Sequence, residues 1–424
     1  MRIIEGFDFF PLNFDDQGKL ESGEEFDLLT DRANTLPATD AIFIAHGFRN
    51  DATDATTLYD KFLETFRAHL SRPEFDAVAQ RQFVVGGVYW PSKPFRESYD
   101  TGADGARGLH DDARAMAEVK AQLEDLKEHD ATPGQRRKLA KAIKLLPTLD
   151  ANPKAQDEFV KLVLSLLEHS VLDKTEGIPQ LQQRPGSELL ARLSDPPAGD
   201  GTRGIGSVFS SIAGGVGRFL NLTNWYVMKD RSGAVGAKGV ADAVRALHAS
   251  CPDVRIHLVG HSLGGRLMAS CAKALCDTPM LRVDSLMLLE AAFSHFGFSS
   301  DNGHGTAGFF RDVVTKQVVK GPFVSTFSTQ DTVVGNAYAI MSRLAGDNTR
   351  EIGDASDEFG GIGRNGPLRT TEVATSPLNV PGTAYEYQAD VINNLDGSGG
   401  LIKDHGDVTN DAVTYAFASI LART

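Results

Sequence analysis

The chain has 424 residues, 41% hydrophobic and 23% charged, a balance that suits a large folded core and excludes a disordered or fibrous polypeptide. Its net charge of −13 repels nucleic acid and anionic membranes on average, so neither is expected as the main partner. Cys251, Cys271 and Cys276 cannot all pair with one another and lack metal-ligand spacing, which reads as reduced thiols in a cytoplasmic protein.

The length fits one large α/β domain carrying an insertion, or two domains. Met1–Gly6 has no charged stretch leading into an apolar run, so no signal peptide is expected, and no segment reaches the length of a membrane-spanning helix. Residues 2–20 alternate and turn at Asp15-Asp16-Gln17-Gly18, predicting an opening β-hairpin. Ala41–Ala45 reads as a strand running into His46-Gly47-Phe48. A helix is expected over Thr56–Leu70, with Leu58, Phe62, Leu63 and Phe66 on one face, and then a strand over Gln82–Trp90 stopped by Pro91. Strand, helix, strand is the unit that builds a parallel sheet.

From residue 92 to residue 228 the pattern offers helices and loops but no convincing strand. Met116, Val119, Leu123 and Leu126 repeat at helical spacing, and so do Leu139, Ile143 and Leu146. The reading is therefore an α/β core in two parts, 1–91 and 229–424, interrupted by a helical cap at 92–228. Within the cap, the basic cluster Gln135–Lys141 follows acidic Glu124–Asp130 and reads as solvated helix faces. The apolar, small-residue run Val208–Leu220, with Trp225 beyond it, is explained equally by a lid over an acyl chain and by packing of cap on core.

The α/β rhythm resumes with a helix at Val235–Ala249 and a strand at Val254–Val259. The pentapeptide Gly260-His261-Ser262-Leu263-Gly264 follows, and a helix begins behind it. A G-x-S-x-G on a strand-to-helix turn is a nucleophile elbow: the turn is too tight for Cβ atoms two residues either side of the serine. Further strands are expected at Val283–Leu289, Phe323–Ser328 and Ala384–Val391, and a last helix at Asp411–Leu421.

A serine at neutral pH needs a base, itself oriented by a carboxylate. After an elbow the partners follow in the order acid, then histidine. Of the eleven histidines only His295, His304 and His405 lie beyond Ser262, and only His405 sits in a loop between the last strand and the last helix. Asp331, just past the Phe323–Ser328 strand, is the expected acid because a carboxylate there points to the same rim as the elbow. Glu290, at the end of the preceding strand, is its rival; Asp404 and Asp407 read as solvated loop charges. The developing oxyanion needs preorganised N–H donors, expected from the backbones of Leu263 and Phe48. His46 and Phe293 are candidates for lining the substrate pocket, with loop packing the alternative for His46. Gly360-Gly361-Ile362-Gly363-Arg364-Asn365-Gly366 looks like a phosphate cradle but lacks the Lys-Ser/Thr ending, and so reads as a structural glycine loop near the rim.

Together these residues resemble the α/β-hydrolase superfamily, and within it the lipase/esterase branch with a His-Gly-X oxyanion loop. A similarity to a group of poorly characterised bacterial α/β-hydrolases runs through His46–Asp51, Val88–Ser92 and Gly360–Gly366. The resemblance covers about residues 40–91 and 229–424. It implies an eight-stranded, mostly parallel sheet, two-step acyl-enzyme chemistry, and neither cofactor nor metal. The expected activity is hydrolysis of a small-molecule carboxylic ester, with or without a long acyl chain. Acyl transfer, amide or thioester cleavage, or a silent binding module on the same fold are the alternatives, and substrate choice and oligomeric state are not readable from the chain.

Overall fold

A computed structural model describes residues 1–36, 38–93, 109–129, 131–167, 173–194, 212–278, 281–345 and 354–424. The chain divides into two units: Met1–Ser92 with Arg231–Tyr338 and Gly353–Thr424, and Lys93–Asp230 with Ala339–Ile352. The second unit thus takes in a stretch after residue 338 that the sequence pattern leaves in the core.

The first unit is α/β. Its strands are β1 (Arg2–Ile4), β2 (Phe7–Asn13), β3 (Asp40–Ala45), β4 (Phe83–Tyr89), β5 (Arg255–His261), β6 (Ser285–Leu289), β7 (Phe323–Phe327), β8 (Val373–Pro377) and β9 (Ile392–Asp396). They form one nine-stranded sheet in the order β1-β2-β4-β3-β5-β6-β7-β9-β8. Only β1 and β2 pair antiparallel. Parallel strands are covered on both faces and so read as unbroken apolar runs; β3 and β6 are buried along their whole lengths. The chain leaves β3 for β4 on one side and reaches β5 on the other. The register places Ala45 beside Gly260 and His261 beside Leu289, so the carboxyl ends of β3, β5 and β6 share one edge. Open α/β sheets bind ligands at that edge, at the point where strand order reverses.

Three features correct the sequence reading. The sheet has nine strands where the resemblance implies eight. The opening hairpin turns at Glu5-Gly6, both at positive φ (49° and 86°), whereas Asp15–Gly18 closes a smaller loop through a Phe14–Leu20 bridge. No strand forms at Ala384–Val391; the chain pairs β8 and β9 instead. Tyr385 and Tyr387 stack at 5.2 Å outside the sheet, and the Tyr387 hydroxyl donates to the Ala416 carbonyl. β9 escapes a propensity reading because its centre is Asn393-Asn394, whose buried amides bond the neighbouring backbone and Thr375.

The helix Ala52–His69 packs with the C-terminal helix Asp411–Leu421 against one face of the sheet. Phe62 and Phe66 meet Phe417 at ring distances of 5.3 and 5.1 Å, and all three are fully buried. Each such ring contributes roughly 1.5–3 kcal/mol by burial. Asp51 starts the first helix with a capping box shared with Asp54, which fixes where the His46–Asn50 loop ends. The helix expected at Val235–Ala249 instead opens with a π-helical segment, Val235–Val240, before Ala241–Ser250.

The described residues of the second unit form helices and turns, without a strand. The cluster Gln135–Lys141 lies on the helix Pro133–Leu145, which buries Leu139 and Ala142 and exposes Arg136, Arg137 and Lys141. Of the run Val208–Leu220, residues 208–211 lie outside the described residues. The remainder belongs to the helix Ile212–Ala234, with Val216, Phe219 and Leu220 buried. Inside this unit the Lys229 ammonium pairs with the Glu176 carboxylate, both almost fully buried. No described helix is long and apolar enough to cross a membrane.

Candidate active site

Ser262 stands between β5 and the helix Leu263–Leu275 at φ 58° and ψ −123°. A non-glycine residue is rarely held there, at a strain of about 1–3 kcal/mol. The neighbours explain how it is tolerated. A Cβ on Gly260 would lie 2.2 Å from the Gly264 carbonyl oxygen, and one on Gly264 would lie 2.4 Å from that of Ala45. The end of β6 and the residues after it hold the turn as well: the Ser262 N–H donates to the Leu289 carbonyl at 3.0 Å, and the Ser262 carbonyl accepts from Ala292 N–H at 3.0 Å.

His405 and Asp331 arrive from distant parts of the chain. His405 Nε2 lies 2.8 Å from Ser262 Oγ, and His405 Nδ1 lies 2.8 Å from Asp331 Oδ2. A carboxylate only accepts, so Nδ1 carries the proton and Nε2 is left as the acceptor facing the serine. Asp331 is fully buried. Its second oxygen accepts from Val334 N–H at 2.9 Å, and its own N–H donates to the Ser328 carbonyl at 2.9 Å. The carboxylate is thereby held from both ends.

Glu290 takes a different position. It is fully buried at φ 38°, its Oε1 meets Thr326 Oγ1 at 2.7 Å, and Oε2 has no partner among the described residues. Burial, reinforced by the Asp331 charge, pushes its carboxyl well above the usual carboxylate range. A neutral acid of this kind does not orient an imidazolium; the structure brings Asp331, not Glu290, to His405. Asp404 and Asp407 close the His405 loop, accepting from Gly406 N–H and Lys403 N–H at 2.8 and 3.1 Å.

The His46–Asn50 loop comes in beside the serine. A Cβ on Gly47 would sit 2.7 Å from Ser262 Cβ, so only glycine lets the backbone pass so close. Arg49 turns the chain at φ 62°, and the loop is tied to the end of β4 through Ser92. The Ser92 carbonyl accepts from Arg49 N–H, and its hydroxyl donates to the Asn50 carbonyl while accepting from Asn50 N–H. The N–H groups of Phe48 and Leu263 donate to nothing among the described residues, leaving both available to an incoming oxygen.

His46 and Phe293, candidates for the pocket lining, are committed to packing instead. The His46 ring stacks on Trp90 at 5.6 Å, its Nδ1 lies 3.0 Å from the Gly47 carbonyl, and burial lowers its pKa to about 4. Phe293 is buried against Phe298 and Phe310. Of the other downstream histidines, His295 is buried against Asn365 and His304 pairs with Glu358 at 3.0 Å on the surface.

Sequence reasoning passed over His261, although it stands inside the pentapeptide. Its Nε2–H donates to the His405 carbonyl at 2.7 Å, anchoring the His405 backbone, and burial lowers its pKa to about 3, so it stays neutral. The second position of the elbow is the available signal: it leaves the strand beside the serine and so faces whatever loop carries the base. No group of three or more His, Cys, Asp or Glu among the described residues has the arrangement of a metal site. Comparison with family models, curated proteins and solved structures returns no match.

Proposed function

We propose that this chain is a serine hydrolase of the α/β-hydrolase type that cleaves a carboxylic ester through an acyl-enzyme. The observation that carries this reading is the continuous relay Ser262–His405–Asp331, with 2.8 Å at both links, on a serine at positive φ. In the first half-reaction Ser262 Oγ attacks the ester carbonyl while His405 Nε2 takes its proton. Asp331 holds the imidazolium that results. The carbonyl oxygen becomes an oxyanion facing the Phe48 and Leu263 N–H groups, where each donor is worth roughly 10²–10³ in rate. Collapse returns the proton to the leaving alcohol. Water, deprotonated by His405, then releases the carboxylic acid and regenerates the serine. The unpaired state of Cys251, Cys271 and Cys276 supports a reducing, cytoplasmic setting.

A fluorophosphonate probe tests the nucleophile. Wild-type protein is expected to label at Ser262 and Ser262→Ala to label nowhere; labelling that survives the substitution removes the assignment. Turnover of p-nitrophenyl esters of increasing chain length then separates the activities. A short-chain optimum marks an esterase, a long-chain preference with an interfacial jump marks a lipase, and absence of turnover points to a binding module.

A further inference from the structure

The glycine-rich loop Gly360–Gly366 is not used by the mechanism above, yet it is bonded to both halves of the site. Its Gly363 N–H donates to the Ala291 carbonyl, just past β6, at 3.0 Å. The Gly363 carbonyl accepts from Ser328 N–H, just past β7, at 3.0 Å. Ala292 donates to the Ser262 carbonyl, and Asp331 donates to the Ser328 carbonyl. The contacts close a ring: from the Ser262 backbone through the end of β6, the glycine loop and the Asp331 turn, and back through His405 to Ser262 Oγ. Arg364 reinforces the acid side. Its guanidinium donates to the carbonyls of Thr329 and Asp331, the latter at 3.1 Å. Gly363 has no room for a side chain, because a Cβ would fall 2.4 Å from the Glu290 carbonyl carbon.

We propose that this loop is a spacer that sets the placement of Asp331 relative to Ser262, with Arg364 as a positioning residue acting through the Asp331 backbone. The proposal rests on the serine-hydrolase reading. Arg364 touches neither His405 nor Ser262; it pins the turn that presents the carboxylate. Both bonds come from Nη1, whose two N–H groups lie fixed in the guanidinium plane, whereas the three N–H groups of a lysine ammonium rotate on a flexible stem and hold the same carbonyls less rigidly. Removing it frees the turn, and a carboxylate displaced by a fraction of an ångström stabilises the imidazolium less.

The test measures the rate at which the fluorophosphonate modifies Ser262, as a function of pH, in the full chain. Arg364→Ala is expected to slow modification at least tenfold and to move the midpoint of the pH profile to lower pH, with Arg364→Lys recovering part of both. Arg311→Ala is the control for stability, since Arg311 forms a bidentate ion pair with Glu372 at 2.6 and 2.7 Å outside the relay; its rate is expected to match wild type. A wild-type rate and profile in Arg364→Ala overturns the proposal and leaves the hydrolase reading standing. So does an equal slowing in Arg311→Ala, or no recovery in Arg364→Lys. If Arg364→Ala does not fold, the partial loss in Arg364→Lys decides, and a wild-type rate there overturns the proposal. Failure of wild-type protein to label at Ser262 overturns both.

Discussion

Two carboxyls lie near the end of the sheet, and their surroundings divide their roles. Asp331 receives hydrogen bonds at both oxygens and faces an imidazole N–H. Glu290 meets one threonine hydroxyl in an otherwise unpartnered burial. Asp331→Ala is therefore expected to reduce ester turnover by orders of magnitude and Glu290→Gln to leave it within a few-fold; steady-state kinetics giving the opposite order would move the acid to Glu290. The neutral state of Glu290 also has a consequence for stability. Above the ordinary value of 4.5 the unfolded chain releases a proton that the folded chain keeps. Stability then falls with rising pH, by up to about 1.4 kcal/mol per pH unit, until the raised folded value is reached. Glu290→Gln removes this loss, so urea unfolding between pH 5 and 8 should show a flatter pH dependence than wild type and greater stability at pH 8. An unchanged slope would mean that Glu290 is ionised in the folded protein.

The same three residue types meet again at the opposite end of the strands, without access to solvent. Asp40 at the start of β3, His257 in β5 and Ser285 at the start of β6 form a second chain of bonds. His257 Nε2 lies 2.9 Å from Asp40 Oδ1, and His257 Nδ1 lies 2.8 Å from Ser285 Oγ. All three are fully buried, and Arg81 and Arg255 approach the same carboxylate at 3.3 and 3.5 Å. Burial by itself would raise the Asp40 pKa, but the His257 hydrogen bond and the nearby positive charges bring it below the ordinary value. This group ties the amino ends of three strands together. Asp40→Ala, which leaves the buried His257 and the largely buried Arg81 without their carboxylate, should cost about 3–5 kcal/mol in unfolding free energy. The fluorophosphonate rate of the folded fraction should stay unchanged. A loss below 1 kcal/mol by urea titration would show that the ion cluster is dispensable. A hydrogen-bonded serine, histidine and aspartate also meet inside this core, and the two groups differ in that Ser262 stands at the carboxyl edge of the sheet on a positive-φ turn.

Across the molecule, residues whose chemistry is carried by local pattern are legible in the chain. A strand, a helix and two glycines place Ser262 on a tight turn, because backbone sterics act over a few residues. Chain order leaves His405 as the loop histidine after an acid, and the apolar runs of β3 to β7 announce a parallel sheet. Elements held by long-range polar contacts are not legible: β9 depends on the bonding of Asn393 and Asn394, and no periodicity reports that. The sequence by itself determined the nucleophile candidate, the core's α/β rhythm and a short field of acids and bases, since each depends on residues close together in the chain. Only the tertiary structure brings Asp331 and not Glu290 to His405, packs His46 and Phe293 against aromatic rings, and gives the Gly360–Gly366 loop a position between the Ser262 turn and the Asp331 turn. Those outcomes depend on burial and on hydrogen bonds between residues as far apart as Ser262 and His405, and such distances are set by how the sheet is assembled.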